Sequence, residues 1–182
     1  MRILIVTQYF WPEDFRINAL VRALGACGRQ LTVLTGKPNY PDGQVFSGYT
    51  AWENAARALR RRRGHARAAC PRGRKSSVRL ALNYLSFIVS GYLIAPFLLR
   101  RQRFDAVFVY APSPLLQALP ALFLAWLKRA PLVVWVQDLW PESLAATGFV
   151  RHRWALAGVE WLVRHIYSHA DLILIQSEGF RA

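Results

Sequence analysis

Short apolar runs alternate with helix-like patterns along the chain of 182 residues. Each apolar run is continuous and rich in Val, Ile and Leu, a pattern typical of strands that are buried on both faces. Several of the segments between the runs repeat apolar residues at intervals of three and four, which predicts helices. The predicted strands are 2–7, 30–36, 105–111, 131–138 and 171–177, and the predicted helices are 15–24, 78–99, 114–128 and about 151–168. This alternation predicts an α/β fold with a doubly wound, Rossmann-like parallel sheet.

Residues suited to binding gather at one edge of this predicted sheet. Doubly wound sheets bind ligands beyond the carboxyl ends of their strands. The segments at those ends are rich in aromatic, Pro, Asn and carboxylate residues, whereas the opposite ends are ordinary caps and turns. These carboxyl-end segments are 7–18, 35–43, 110–114, 137–143 and 176–180. We therefore predict a ligand site at the carboxyl edge.

The segment VQDLWPES (136–143) brings two carboxylates and an indole to that edge. Asp138 can act as a general base, hold a substrate hydroxyl, or serve only as an N-cap or turn carboxylate. Glu142 can cap the next helix or contact the same ligand. Trp140 and Trp11 are either platforms for a sugar or lipid, or lids on the core. The combination of aromatic, carboxylate and Asn residues is typical of a carbohydrate site.

Several other kinds of site are disfavoured. The loop FWPEDFRIN (10–18) lacks the glycines of a dinucleotide fingerprint, and the sequence shows no metal cluster, nucleophile elbow or P-loop pattern. Arg16 is either a partner for an acidic or phosphorylated ligand or a surface helix arginine. The two cysteines have no metal-ligand spacing and fit a reducing compartment. The N-terminal segment does not have the pattern of a secretory signal, so we expect a cytoplasmic location.

The net charge of +14 is concentrated in one segment, because residues 51–75 hold nine Lys and Arg but one acid. This segment is either an arginine patch for phosphate or membrane, or a solvated loop or short helix. We expect no nucleic-acid partner, since no recognition motif accompanies the arginines. Residues 80–99 carry no charge over 20 positions. Their polar and Pro residues, and their place between strands, favour a buried or membrane-touching helix over a membrane span.

A resemblance to a known family rests on ILIVTQYFWPEDFRIN, LTVLTGKPNYPDG, LALNYLSF, VYAPSP, WVQDLWPESL and DLILIQS. Together they resemble the N-terminal domain of family 4 retaining glycosyltransferases, in particular bacterial fucosamine or fucose transferases of O-antigen and capsule assembly. The resemblance implies one half of the two-domain GT-B fold, in which this domain takes the acceptor. The C-terminal domain of such enzymes binds the nucleotide-sugar donor, usually without a metal, and we expect no cofactor.

The resemblance also implies roles for individual residues. The loop 10–14, including Trp11, Pro12 and Glu13, would line the cleft beside the donor phosphates. Asp138 would stand near the reacting sugar and, because transfer in this family is usually described as front-face, would orient rather than attack. The residues expected in the acceptor region are Asn39, Tyr40, Tyr110 and Ser113.

We expect a single acceptor-side domain over 1–182, without the donor domain and inactive in transfer by itself. The expected partners are a nucleotide-sugar, a lipid-linked saccharide, the missing C-terminal domain and the inner-membrane surface, where the protein would be peripheral. A non-catalytic module that binds sugar, lipid or membrane is the alternative. Residues 51–75 depart from the family, and about 53–71 fit a GC-rich gene read out of frame. This frameshift hypothesis fails if the other reading frames of the gene encode no strand pattern over these residues.

Overall fold

The fold is a parallel sheet with helices on both faces. The computed structural model describes residues 1–36, 65–66, 77–113, 115–146 and 152–180. The strands lie in the order β3-β2-β1-β4-β5-β6, and every neighbouring pair is parallel. They are β1 (Arg2–Val6), β2 (Gln30–Thr35), β3 (His65–Ala66), β4 (Ala106–Ala111), β5 (Leu132–Val136) and β6 (Leu172–Leu174). The predicted α/β class and doubly wound parallel sheet are confirmed.

The helices follow the strands in the expected alternation. They are α1 (Arg16–Ala26), α2 (Ser77–Leu93), α3 (Ala95–Leu99), α4 (Ala118–Lys128), α5 (Glu142–Ala146) and α6 (Arg153–Ser168). Single 3₁₀ turns occur at Leu115–Gln117 and Glu178–Phe180. The chain therefore crosses from β1 to β2 through α1, and from β4 to β5 through α4.

Alternate residues of the central strands build two separate cores, because successive side chains of a strand point to opposite faces. Ile3 and Ile5 pack with α1 on one face. Leu4 and Val6 belong to the larger core on the other face, to which α2, α4 and α6 contribute. Burial on both faces explains why these strands read as continuous apolar runs.

One predicted helix, two predicted strands and the interpretation of residues 51–75 need correction. The helix predicted at 78–99 is divided at Ile94 into α2 and α3, and α3 begins beside Pro96, which has no N–H for a continuous ladder. The strands predicted at 131–138 and 171–177 are shorter, since polar residues follow Val136 and a turn follows β6. The segment 51–75 showed no strand pattern, yet its residues 65–66 form β3 and pair with Leu34 and Thr35 of β2, which makes six strands rather than five. The short helix α5 was not predicted.

The two long helices α2 and α4 pack closely against each other. A Cβ added at Gly91 would lie 2.3 Å from Cβ of Pro120, so this crossing requires a glycine. Within the described part of the chain, none of the helices has the length and apolarity needed to cross a membrane. Asn39, Tyr40 and all of 51–75 except β3 lie outside the described residues.

Candidate functional site at the carboxyl edge

The strand order reverses between β1 and β4, which are neighbours in the centre of the sheet. The chain leaves β1 through α1 on one face and leaves β4 through α4 on the other. The two loops therefore diverge and open a crevice above the carboxyl ends of these strands, where open α/β sheets bind ligands. The candidate site is this crevice together with the loop that follows β5.

Gln8, two residues after β1, holds the base of the crevice together. Its backbone N–H donates to Oε1 of Gln117 at 2.7 Å, and its side-chain amide donates to Oδ1 of Asn83 on α2. Its carbonyl oxygen accepts the N–H of Gly36 at 3.1 Å. A Cβ at Gly36 would lie 2.8 Å from that oxygen, so glycine permits the approach. Gln8, Asn83 and Gln117 are all buried, and their bonds fix the ends of β1, β2 and α2 relative to the turn after β4.

Similar bonds join the loops of β4, β5 and β6. The indole Nε1 of Trp140 donates to Oγ of Ser113 at 3.3 Å, while the Trp140 ring packs against the larger core. The amide of Gln176 donates to the carbonyl oxygen of Gln137 at 3.1 Å and to its Oε1 at 2.8 Å. The loops around the crevice are therefore connected from β2 to β6.

Two carboxylates of the β5 loop act electrostatically on one phenol. Burial raises the pKa of Tyr167, and the negative charges of Glu142 and Asp138 raise it further. Tyr167 is on the last turn of α6 and half-buried, whereas Glu142 is exposed and Asp138 half-buried. The two carboxylates of the loop after β5 are suited to accepting hydrogen bonds from the hydroxyls of a polar ligand.

The loop after β1 is organised by a buried carboxylate. Glu13 is 3% exposed, and its Oε2 accepts the N–H of Phe10 at 3.1 Å. The side-chain amide of Asn18 donates to the Glu13 carbonyl oxygen at 2.6 Å, which ties the loop to α1. Tyr9 and Phe15 stack with ring centroids 5.3 Å apart. Trp11, at the tip of this loop, is 63% exposed.

Arg16 and Tyr110 meet on the α1 side of the crevice. Tyr110 is buried and packs edge-on against Trp135 at 5.2 Å. Burial raises the pKa of Tyr110, while the charge of Arg16 and a hydrogen bond with the Arg16 backbone lower it. The arginine is the first residue of α1 and its side chain is exposed, so it is open to a ligand at this edge.

The predicted site residues fall into two groups. Ser113, Asp138, Trp140 and Glu142 are brought together by the loops of β4 and β5. The other group, on the loop after β1 and the start of α1, comprises Trp11, Pro12, Glu13 and Arg16, with the buried Tyr110. Asn39 and Tyr40 lie outside the described residues, and their acceptor role stays a prediction.

The structure narrows three of the alternatives that the sequence left open. Asp138 is not an N-cap, because α5 begins four residues later, at Glu142. Glu142 occupies the first turn of that helix, where a carboxylate is favourable. Trp140 covers the core, whereas Trp11 is exposed at the loop tip and available to a ligand.

The amide side chains that connect the loops of the carboxyl edge were missed by the sequence analysis. A shared signal exists, because Gln8, Gln137 and Gln176 each follow a strand by one or two positions. Asn83 and Gln117 do not directly follow a strand, so no local pattern distinguishes them. In the sequence, Tyr167 cannot be distinguished from any other residue of a helix. In the described part of the chain, no group of three or more His, Cys, Asp and Glu is positioned to hold a metal ion.

The comparison with protein families gives one match. A family model described as a glycosyl transferase 4-like domain matches residues 15–182, which include α1, every strand after β1 and the β5 loop. No curated protein matches the chain. The matched range contains the carboxylates of the β5 loop and the arginine of α1, but not the indole at the tip of the first loop.

Proposed function

Because the chain belongs to the glycosyl transferase 4-like domain family, we propose that it is the acceptor-side domain of a retaining glycosyltransferase. The enzyme moves a sugar from a nucleotide-sugar to a lipid-linked saccharide in cell-surface polysaccharide synthesis. The observation that carries the proposal is the position of Asp138 and Glu142 in the loop that follows β5, at the carboxyl edge of the sheet. Carboxylates beside a crevice suit an acceptor that offers several hydroxyls.

In the proposed complex, Asp138 accepts a hydrogen bond from the hydroxyl that attacks the donor sugar. It orients that oxygen and forms no bond to carbon. Glu142 binds a neighbouring hydroxyl, and the exposed indole of Trp11 offers an apolar face to a sugar ring or lipid. Arg16 faces the negatively charged part of the substrates. Positioning of this kind is a large part of how enzymes accelerate group transfer.

The proposed reaction breaks the bond between the anomeric carbon and the diphosphate oxygen of the donor. A bond forms between the same carbon and the acceptor oxygen, on the face that the diphosphate leaves. The acceptor proton passes to the departing diphosphate, so charge and atoms balance and no cofactor is consumed. The resemblance to fucosamine and fucose transferases makes nucleotide-linked forms of these sugars the first donors to test. A lipid-linked acceptor implies a peripheral location on the cytoplasmic face of the inner membrane.

Acceptor binding is tested on the purified chain with saturation-transfer NMR and saccharide fragments of surface polysaccharides. We expect saturation of sugar protons that decreases strongly in Asp138→Asn and in Trp11→Ala. Leu172→Ser, which changes an exposed residue of β6 away from the site, serves as the control. Equal saturation in all four proteins would contradict the proposed site.

Transfer is tested by adding a nucleotide-sugar-binding domain of the same family and a labelled donor to lipid-linked saccharides. We expect product only when both polypeptides are present, with the anomeric configuration of the donor retained, and a loss of about a hundredfold or more in Asp138→Asn. Saccharide binding without transfer in any combination would favour the alternative, a non-catalytic sugar- or lipid-binding module. Neither binding nor transfer would contradict both functions.

A further inference from the structure

The helix α2 is apolar on its exposed face as well as on its buried face. Asn83, Phe87 and Gly91 face the interior at intervals of four residues. The outer positions carry Leu82, Leu85, Val89 and Leu93, all exposed, although a helix at the surface of a soluble domain normally presents polar residues there. No charged residue occurs from 80 to 99. The outer face of α2 therefore lacks the residues expected of a surface in contact with water.

Exposed aromatic residues extend this face onto α3 and α4. Phe97 is 70% exposed and Trp126 is 72% exposed. Tyr92 of α2 lies 5.2 Å from Phe123 of α4, which lies 6.0 Å from Trp126, so the rings form a continuous row between the helices. We refer to the exposed set as the apolar patch: Leu82, Leu85, Val89, Leu93, Phe97 and Trp126. Contiguous exposed apolar residues of this kind mark an interaction surface.

A basic edge adjoins the apolar patch at the amino ends of the strands. It consists of Arg2, Arg100, Arg101, Arg103, Lys128 and Arg129, which precede or begin β1, β4 and β5. In these fully described loops one carboxylate occurs, Asp105, and its Oδ2 accepts the backbone N–H of Arg2 at 2.6 Å. The ammonium of Lys128 donates to the carbonyl oxygens of Leu99 at 2.6 Å and Gln102 at 3.0 Å. These bonds connect the basic edge to the helices that carry Phe97 and Trp126.

A cavity of about 320 Å³ opens within the basic edge. Arg2, Arg101 and Arg103 line it together with the polar side chains of Gln102 and Thr32, and no carboxylate lines it. Three guanidinium groups around a polar cavity suit a phosphate, because each offers several donors to its oxygens.

We propose that the apolar patch and the basic edge together form the docking surface of this domain on an anionic lipid bilayer. The aromatic and leucine side chains enter the interface, and the arginines contact lipid phosphates. Amphipathic surfaces bind membranes in this way, through buried apolar area and attraction to anionic headgroups. The described part of the carboxyl edge carries five acids, Glu13, Asp14, Asp138, Glu142 and Glu178, so anionic lipid is attracted to the basic edge rather than to this one.

This docking mode leaves the site next to the membrane. The 17 residues of α2 span about 25 Å, and Asn83 near its start bonds Gln8 at the base of the crevice. A bilayer against the outer face of α2 thus lies about one helix diameter, or roughly 10 Å, from that bond. The inference rests on the proposed membrane location and adds its surface and lipid class. It does not depend on sugar transfer.

A second copy of the chain is the competing occupant of the apolar patch. The charge distribution favours the bilayer, because an anionic surface compensates the six cations of the basic edge. Salt dependence separates these occupants, since attraction of the basic edge to anionic lipid weakens with salt, whereas an apolar contact between two copies does not.

Vesicle co-sedimentation tests the proposal with the whole chain and lipids that carry no sugar acceptor. We expect binding to phosphatidylglycerol–phosphatidylcholine vesicles that weakens with salt and is much lower on pure phosphatidylcholine. Leu93→Ser with Phe97→Ser should weaken binding about tenfold or more. Arg101→Gln with Arg103→Gln should weaken it about tenfold on the anionic vesicles and flatten the salt dependence.

The matched control changes two exposed apolar residues outside the patch, Trp154→Ser with Leu172→Ser. It should bind vesicles like the wild type. Quenching of tryptophan fluorescence by brominated lipid should decrease in Trp126→Phe and not in Trp154→Phe, which tests the same contact without a destabilising change. Equal vesicle binding by the patch variant and the control would overturn the proposal. A wild-type dimer that the patch variant converts to a monomer, with no vesicle binding by either, would also overturn it.

Discussion

The tripeptide Trp-Pro-Glu occurs twice at the carboxyl edge, as residues 11–13 after β1 and residues 140–142 after β5. In the first loop the indole of Trp11 is exposed and the carboxylate of Glu13 is buried. In the second loop Trp140 packs against the core and the carboxylate of Glu142 is exposed. One sequence therefore contributes an aromatic surface at one position and a negative charge at the other.

The neighbours of each loop account for the reversal. The first carboxylate accepts the N–H of Phe10 and organises its own loop. In the second loop Oγ of Ser113 accepts the indole N–H of Trp140. Glu142, the last residue of the tripeptide, begins α5. A saccharide acceptor bound at this edge would therefore contact the indole of Trp11 in the β1 loop and the carboxylates of Asp138 and Glu142 in the β5 loop. The difference between the loops also predicts that equal substitutions in them have unequal effects.

The largest difference is expected for the two indoles. Trp140→Ala removes packing against the core and should lower the free energy of unfolding by about 2 kcal/mol or more. Trp11→Ala should change it by about 0.5 kcal/mol or less, because the side chain is already exposed. Urea unfolding followed by circular dichroism measures both values. Equal losses in the two variants would show that burial does not distinguish the loops.

For the two glutamates, the substitution in the first loop should cause the larger loss of stability. Glu13→Ala removes a buried carboxylate that accepts the N–H of the half-buried Phe10, and should cost about 1–3 kcal/mol of the free energy of unfolding. Glu142→Ala removes only a favourable charge in the first turn of α5 and should cost about 0.5 kcal/mol. Glu13→Gln retains an acceptor oxygen and should cost less than Glu13→Ala. A larger cost for Glu142→Ala than for Glu13→Ala in the same urea experiment would contradict this assignment.

The bond between Trp140 and Ser113 contributes a smaller amount. Ser113→Ala removes the acceptor of the indole N–H and should lower the free energy of unfolding by about 1 kcal/mol. Trp140→Phe removes the donor and some packing. If the bond accounts for the effect, Ser113→Ala should cost almost nothing in the Trp140→Phe background. Additive losses in the double variant would show that the two side chains do not interact.

The sequence was sufficient to predict the parallel sheet and the residues that follow its strands at the carboxyl edge. Continuous apolar runs such as 131–138 reflect burial on both faces, so their number and spacing gave the parallel α/β architecture. The strand β3 was missed because two residues, His65 and Ala66, join the sheet through backbone pairing, which leaves no apolar pattern. The division of α2 from α3 was missed although Pro96 marks it.

The site was predictable as a region but not as a set of contacts. Asp138 and Trp140 follow a buried strand, which is a local signal, and their location at the carboxyl edge follows from topology. The bond of Gln8 to Asn83 joins residues 75 positions apart and depends on how α2 crosses the sheet. The opposite environments of the two Trp-Pro-Glu loops likewise depend on side chains contributed by other elements. No local pattern carries such information.

The smallest expected effect is a change in the titration of Tyr167, whose pKa responds to the carboxylates of the second loop. Burial raises the pKa of this phenol above its ordinary value of 10.0, and Glu142 and Asp138 add to the shift. Glu142→Gln and Asp138→Asn should each lower the pKa, because they remove a negative charge that opposes tyrosinate. The difference in ultraviolet absorbance between each protein and its Tyr167→Phe derivative isolates this tyrosine among the seven in the chain.

The raised pKa also fixes the sign of the pH dependence of stability. The folded state favours the neutral phenol, so the stabilisation is complete below the unfolded pKa near 10 and is lost as pH rises through the higher folded pKa. Wild-type protein should therefore lose more stability above pH 10 than Tyr167→Phe. Glu142→Gln should lie between them, whereas Glu13→Gln should follow the wild type, because Glu13 does not contribute to this shift. If Glu142→Gln left the Tyr167 titration unchanged, the charge of that carboxylate would not act on the phenol, and the raised pKa would rest on burial and Asp138 alone.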